Sequence, residues 1–508
     1  MNPSSVNQDT TDIAIIGSGM GGATAAYSLA SSGAQITVLE RGQQIPAAPE
    51  NRDPRAVYQT SHFKSDDSWY RPDGTPMPAG NHFNVGGNSK FYGAVLYRFR
   101  ERDFDGVQYP EGGSRAWPFS YAELEPWYQA AEELYQVHGD GSQDPTEPPR
   151  KSRLPHAPIP DEPAIAEARR RFEAIGLHPC ALPLGIDLET WLRHGRTGWD
   201  GFPDAREGKM DAENCALIPA LKHSNVELRS GARVTRVLFD ADARRAVGVE
   251  YESGGQIHVL RAGLVVLAAG AIPSAAILLA SDTGRTVNRS GQVGRNLMAH
   301  NQSIAIGFGW RFRNDSVYQK TFAINDFYLS DGADGPSLGN VQLLGRVDGA
   351  ILKAGLPRVP EWVLQRASRH TLDFFLNSED LPDDHNRVTL DGTRLVLNFQ
   401  RRTNLSVHEK LTQRWKQALR DAGFRYSVSM LFGRDGPGHQ CGTIRMGDDP
   451  SDSPLNPWCQ AHDCENLFVT DASVFVSSAA VNPALTVAAL ALRASQRIRS
   501  VMTLQPGL

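Results

Sequence analysis

Residues Asp12 to Gly42 constrain the chain more than any other stretch. Asp12-Ile-Ala-Ile-Ile16 is a short apolar run of the kind that parallel sheets bury on both faces. Gly17-Ser-Gly19-Met20-Gly-Gly22 follows at once. Next come an alanine-rich segment, Ala23 to Ser31, and a second apolar run, Gln35 to Leu39, which ends in Glu40-Arg41. The order predicts strand, glycine turn, helix and second parallel strand. Each part has a physical job. Gly17 turns tightly, Gly19 lets backbone approach a pyrophosphate, and Gly22 lets the helix pack on the strand. The helix start offers free N–H groups and partial positive charge to a diphosphate. Glu40 can accept hydrogen bonds from ribose hydroxyls. With all these parts in register, the unit predicts dinucleotide binding on an α/β fold.

Composition narrows the alternatives. At 40% hydrophobic and 21% charged residues, the chain is ordinary globular material. Its 508 residues suggest two or three lobes. A net charge of −5 supplies no basic excess for nucleic acid or an anionic membrane, so neither partner is expected. Two long uncharged windows, 263–280 and 474–492, approach the length of a membrane span. Each carries an interior proline, Pro273 or Pro483, and reads instead as a buried strand, a loop and then a buried helix. Cys180, Cys215, Cys441, Cys459 and Cys464 are too scattered for a disulfide scaffold. No histidine pair stands beside Cys459 and Cys464 at zinc spacing, so free thiols and no metal site are expected. Met1 to Thr10 shows no basic run before an apolar segment. The chain therefore reads as cytoplasmic.

Further along, Gly86 and Gly87 sit in an aromatic and polar segment, Asn84 to Gly93, which suggests backbone pressed against a flat ring. Ser120 and Glu123 form a capping-box pattern ahead of a helix. Residues 139–163, rich in Pro, Gly, Asp and Ser, read as a surface connection. Asn225 to Val237 reads as two strands around a glycine turn, with Val247 to Tyr251 pairing beside them. Leu264 to Pro273 reads as a buried strand entering a glycine turn, and Glu465 to Ala472 as a strand rejoining the nucleotide domain. Between Gln302 and Phe432, the runs Arg387–Leu390 and Arg394–Phe399 predict an antiparallel sheet, flanked by helices over 363–370 and 407–422. The domain reading is therefore 1–130, 205–300 and 437–508 for the nucleotide, 131–204 for a connection or lid, and 301–436 for substrate.

Taken in order, these motifs resemble the glucose–methanol–choline (GMC) oxidoreductase family. The matching segments are the dinucleotide unit, Val85-Gly-Gly-Asn-Ser89, Leu267 to Ser274, Val293 to Leu297, Asn386 to Leu390, Gly438 to Gly447, Val469 to Ser473 and Val481 to Thr486. The resemblance implies a Rossmann-like FAD-binding domain joined to a substrate domain with a mainly antiparallel sheet flanked by helices. It also implies oxidation of an alcohol. Asn88 to Gly93, Trp117-Pro118, Leu124 to Tyr128, Trp199 to Pro203 and Leu338 to Gln342 look most like the pyranose oxidase and bacterial glycoside 3-oxidase branch.

Carried over residue by residue, the resemblance implies His439 as the base and Asn482 as a donor to the substrate oxygen. FAD contacts fall on Gly17, Gly19, Met20, Gly22, Glu40, Arg41, Gly86, Gly87, Asn88, Ser89, Ala269, Gly270, Asp471 and Ala472. Val234 matches the position whose backbone meets the adenine. Pro483 suits the first turn of a helix, where the N–H groups of Leu485 and Thr486 can meet the flavin. His300 and His462 read as structural or solvated. Arg98, Asn340 and Gln342 are candidates to bond sugar hydroxyls, and Phe327 and Tyr328 to cover an apolar ring; a structural role suits each equally well. Thr321 to Gly339 reads as a substrate loop.

Pyranose oxidases often attach the flavin to a histidine soon after the Gly-Gly pair. Phe91 occupies the matching position here, so non-covalent FAD is expected, with His82 the alternative attachment point. The implied reaction is oxidation of a secondary ring hydroxyl of a sugar or glycoside, at C3 before C2, with dioxygen as acceptor. The alternative is another alcohol, an aminoglycoside or polyol, with a quinone or other carrier. Acid precipitation checks the attachment. Yellow colour is expected in the supernatant, and colour that stays with the pellet contradicts the Phe91 reading.

Overall fold

The computed structural model describes residues 9–60, 62–242, 244–281, 287–331 and 335–504. The strand Asp9–Ile16 lies between Ile36–Glu40 and Gln256–Leu267, parallel to both. The sheet continues in parallel to Val226–Ser230 beyond one neighbour and to Cys464–Val469 beyond the other. Buried on both faces, these strands carry Ile13, Ile15, Val38 and Val265 with no exposed surface. An antiparallel arm leaves the sheet where Ala246–Ser253 pairs with both Gln256–Leu267 and Arg233–Phe239. The helix Met20–Ala30 covers the sheet and packs against the long C-terminal helix, Ala484–Leu504.

Close backbone approach decides where that first helix sits. A Cβ on Gly21 would lie 1.9 Å from the carbonyl oxygen of Thr470, and one on Gly22 would lie 2.0 Å from that of Gly17. Gly17 itself turns at φ +97°, a conformation that favours glycine. The sequence pattern assigns packing to Gly22. The Gly21 contact joins residues far apart in the chain and leaves no local signal.

The second sheet has six strands, all antiparallel, in the order Tyr426–Leu431, Asn301–Phe308, Thr371–Ser378, Asn340–Gly345, Phe322–Ile324 and Pro179–Ala181. The helix Leu405–Asp421 lays Leu411, Trp415 and Leu419 against it, with Phe172 stacked on Trp415 and Phe374 meeting it edge-on. Phe172 comes from the helix Pro163–Glu173, so part of the stretch read as a connection builds this layer. The expected strands near 390 lie elsewhere. Arg387–Asp391 and Arg394–Asn398 form a hairpin in a separate four-stranded sheet with Ser68–Tyr70 and Pro76–Pro78. The reason is burial: Val388 and Leu397 pack into the core of the nucleotide layer, not that of the six-stranded sheet.

Other expectations fall into place. In the window 263–280 a strand ends at Leu267 and a helix runs over Ala271–Leu279. In 474–492 the expected helix is present but the expected strand is not: the strand Cys464–Val469 ends before the window, and a loop leads into the C-terminal helix. Among the described residues, no helix is long and apolar enough to cross a membrane. Residues 1–8, on which most of the N-terminal reading rests, lie outside the described residues, as do 332–334 of the expected substrate loop. Ser120 and Glu123 cap the helix Tyr121–Leu134, with the Ser120 N–H donating to Glu123 Oε2 at 2.9 Å. All five cysteines are buried and free.

The Gly21 contact is directly testable. Gly21→Ala must displace the Thr470 carbonyl, and overpacking of this kind costs about 1–3 kcal/mol. A lowered midpoint of urea unfolding and reduced flavin content in the purified protein are the expected outcomes.

Candidate active site

The carboxyl ends of the parallel strands open into one elongated cavity of about 1300 Å³. Glu40, Arg41 and Val234 line one end, and His439, Asn482 and Pro483 the other. Between them stand Gly17, Gly19, Met20, Gly87, Asn88, Ser89, Ala269, Gly270, Asp471 and Ala472. At the first end, Glu40 Oε2 accepts from both the N–H and the hydroxyl of Ser18, while Oε1 accepts from the Gly42 N–H. Ser18 Oγ in turn accepts the Gly86 N–H at 3.0 Å, which ties the first glycine loop to the second. Gly86 turns at φ +87°, and Ser89 closes that turn by donating to the Gly86 carbonyl. Arg41 pairs with Asp67 and lies 3.8 Å above the Phe83 ring. Asp471 accepts from Gly270 N, Ser274 Oγ and Ser473 N, so its carboxylate binds the turn after Leu267 to the C-terminal strand.

Gly22, Gly86, Leu485 and Thr486 stand behind this wall. Leu485 and Thr486 are buried without exposure, and Thr486 Oγ1 bonds Tyr128 OH at 2.8 Å. The helix they belong to starts at Ala484, immediately after Asn482-Pro483, and its first closing bond runs from Val487 N–H to the Pro483 carbonyl. First-turn N–H groups have no partner within a helix, so this end presents donors and partial positive charge towards the cavity.

The His439 end has a defined hydrogen-bond logic. His439 is half-buried and sits at φ +50°, a conformation rare outside glycine and costly unless its surroundings enforce it. His300 Nε2 lies 3.0 Å from the Ser478 carbonyl, which only accepts, so Nε2 carries the proton. Burial lowers His300 to a pKa of about 4, so the ring is neutral and its Nδ1 is an acceptor. His439 Nδ1, 2.9 Å away, then donates to it. The Gln302 amide lies 3.1 Å from the same His439 nitrogen and 3.1 Å from Asn377 Oδ1. With the proton on Nδ1, Gln302 turns its oxygen to His439, and Asn377 can offer it an Nδ2 that otherwise has no partner. His439 Nε2 is left unprotonated and accepts from Asn482 Nδ2 at 3.4 Å. Asn482 is itself oriented: its Oδ1 accepts from Gln342 Nε2 at 2.5 Å.

The five substrate candidates lie outside the cavity lining. Arg98 is buried in a cage of Glu125, Glu132 and Tyr121. Tyr328 donates to Asp103 and accepts from the Ala480 N–H, and Phe327 packs on the second core. Asn340 and Gln342 are fully buried behind Asn482. Conversely, Asp200, Gln302 and Lys320 do line the cavity, although nothing in the local sequence singles them out. His300 is buried and not solvated, and it bonds His439. His462 holds Ser453 and the Gly447 carbonyl. His82 lines the cavity, stacks on Phe91 at 3.8 Å and bonds the Phe63 carbonyl through Nδ1.

Residues 77–302 and 382–491 match two family models, both described as GMC oxidoreductase, and residues 15–66 match an NAD(P)-binding Rossmann-like domain. The chain belongs to the GMC oxidoreductase family. Among GMC relatives, it is 28% identical over 527 residues to 6'''-hydroxyparomomycin C oxidase of Streptomyces lividus, covering 96% of this chain and 91% of that enzyme. It is 27% identical over 535 residues to 2-methyl-1,2-propanediol dehydrogenase of Mycolicibacterium austroafricanum, covering 96% and 95%. The fold resembles that of pyridoxine 4-oxidase from Mesorbium loti, with a TM-score of 0.61 at 17% identity over 96% of this chain and 98% of that one. GMC membership makes the protein an oxidoreductase of CH–OH groups and implies FAD. The residues present fit that cofactor. A Cβ on Gly19 would meet open space, the helix Met20–Ala30 points its free first turn at it, and Glu40 closes the cavity's far end.

Burial first, then His300 and the Lys320 charge, hold the His439 imidazole well below the ordinary histidine pKa of 6.5. Nε2 therefore stays unprotonated as the pH falls through 6.5, and loss of the base begins only at lower pH. The acid limb of kcat/KM is expected below pH 6.5; a limb centred at 6.5 or above contradicts this environment.

Proposed function

We propose that the protein oxidises a secondary ring hydroxyl of a pyranose sugar or glycoside to the ketone, at C3 before C2. We take dioxygen as the electron acceptor and FAD as bound without a covalent link. One observation carries the reading: an unprotonated His439 Nε2 and an amide donor of Asn482 converge at 3.4 Å on the wall of the dinucleotide cavity. FAD supplies hydride acceptance at this site when bound. The chain's own groups do the rest. His439 Nε2 takes the hydroxyl proton, and an imidazole held neutral at working pH suits that task. Asn482 Nδ2 donates to the same oxygen as negative charge gathers there. The helix start at Ala484 adds partial positive charge to that end of the cavity.

A polyhydroxylated substrate suits the wall composition, since Asp200, Gln302 and Lys320 face the cavity beside the two reacting groups. The Streptomyces lividus relative, an oxidase named for a hydroxyparomomycin, supports a sugar-bearing alcohol as the substrate class. Phe91, buried against His82, supports the non-covalent reading. The free thiols suit a reducing, cytoplasmic setting. The dehydrogenase among the relatives supports a second reading, in which another alcohol is oxidised and a quinone or other carrier takes the electrons.

Anaerobic bleaching of the flavin near 450 nm by a panel of sugars, glycosides and polyols separates the two. Bleaching by pyranosides with rapid recolouring in air, and a 3-keto product, is the expected outcome. Bleaching that air does not reverse quickly favours the carrier-linked reading, and no bleaching by any pyranoside overturns the sugar assignment. In the same assay His439→Ala should slow bleaching by about 10²–10⁴, the usual contribution of a positioned base.

A further inference from the structure

Lys320 and Asp200 form an ion pair at the catalytic end of the cavity, with Lys320 Nζ 3.1 Å from Asp200 Oδ2. The structure goes to some length to put them there. Lys320 sits at φ +58°, and its side chain is almost fully buried beside the Phe375 ring. Asp200 is gripped through its backbone: its N–H donates to Gln319 Oε1, its carbonyl accepts from Tyr58 OH, and the preceding Trp199 donates to the Gly93 carbonyl. Gly93 leaves the room, since a Cβ there would fall 2.6 Å from Lys320 Cε and 2.9 Å from Asp200 Oδ1.

The pair is not saturated. An ammonium group has three donors. One Lys320 N–H meets Asp200, and a second meets Gln342 Oε1 at 3.4 Å. The third, and Asp200 Oδ1, have no partner among the described side chains. They offer one donor and one acceptor on paired side chains that both line the cavity, the complement that a hydroxyl, itself donor and acceptor, requires. Their position relative to the chemistry is also set. Gln342 bridges Lys320 to Asn482, so the pair lies two hydrogen bonds from the group that faces the reacting oxygen.

We propose that Lys320 and Asp200 are a specificity site for a hydroxyl next to the carbon being oxidised, in a neutral substrate. This rests on the reading of the protein as an oxidoreductase with His439 and Asn482 at the reacting carbon. Charge argues for neutrality: an ammonium brought to Asp200 meets Lys320, and an anion brought to Lys320 meets Asp200. A site built around a hydroxyl rejects the analogue that lacks it, because its own polar groups are then left unpaired.

The test compares kcat/KM for a methyl pyranoside, its deoxy analogues lacking one hydroxyl beside the oxidised carbon, and the matching amino analogues. The wild type is expected to prefer the parent over one deoxy analogue by at least about tenfold. In Asp200→Asn that preference should collapse towards one, because the parent loses activity while the deoxy analogue changes little. Lys320→Met also removes a charge near His439 and a donor to the row behind Asn482, so it should lower activity on both substrates while still narrowing the parent-to-deoxy ratio; flavin absorbance reports whether each variant is assembled. Three results overturn the proposal: no deoxy discrimination by the wild type, equal loss on parent and deoxy substrates in Asp200→Asn, or preference for an amino analogue. If Lys320→Met does not fold, wild type and Asp200→Asn decide. If no pyranoside is oxidised, the sugar reading fails separately. The comparison is then made with 1,2-diols against mono-alcohols for whichever alcohol bleaches the flavin, and the same outcomes apply.

Discussion

The first helix can approach the sheet only because Gly21 and Gly22 carry no side chains. At Gly21 its backbone comes up against the Thr470 carbonyl, where a single methyl group would sit 1.9 Å from oxygen. The next residue, Asp471, holds the Gly270 N–H and the Ser274 hydroxyl. Three strand ends, at Ile16, Leu267 and Val469, are thereby brought to one level. Their turns form the cavity wall, as expected where ligands bind at the carboxyl ends of parallel strands. Loosening this contact would move the nucleotide loop and the Asp471 turn together, so the stability of the sheet and the shape of the cofactor site are one quantity.

The other end of the cavity obeys a different rule, that buried polar groups must be satisfied. Lys320 donates to Gln342 Oε1, Gln342 to Asn340 Oδ1, Asn340 to Asn325 Oδ1, and Asn325 to Asp144, which Arg100 pairs. Every amide in this row points its oxygen towards the lysine and its nitrogen towards the carboxylate. Such aligned bonds polarise one another, and removing one member strands its neighbours at about 1–3 kcal/mol each. Gln342 spends its second N–H on Asn482, which fixes that amide with its nitrogen towards His439. On the other side, Ser478 sets the tautomer of His300, and His300 sets that of His439. Asn482 and His439 are therefore oriented from opposite directions, by an amide row on one side and an imidazole pair on the other.

Much was legible in the sequence alone. The strand–turn–helix–strand unit at Asp9–Glu40 announced itself because its rules are local: apolar runs, glycines at fixed offsets and an acid at the next strand end. The same holds for the capping box at Ser120 and for the strand–turn–helix reading of 263–280. The strands near 390 were legible as strands but not as members of a particular sheet, because alternation states which face is apolar and not which core will bury it. Asn340 and Gln342, candidates to bond sugar hydroxyls or to play a structural part, are buried behind Asn482 and take the structural part.

What the sequence determined by itself is therefore the class of fold, the family, and the position of His439 and Asn482 in motifs whose neighbours identify them. These follow from short-range order along the chain. The tertiary structure alone decided which nitrogen of His439 is unprotonated, which way Asn482 faces, and that Lys320 and Asp200 meet beside them. Those outcomes depend on hydrogen bonds between residues more than a hundred positions apart, and no local pattern encodes a contact that exists only after two sheets have packed.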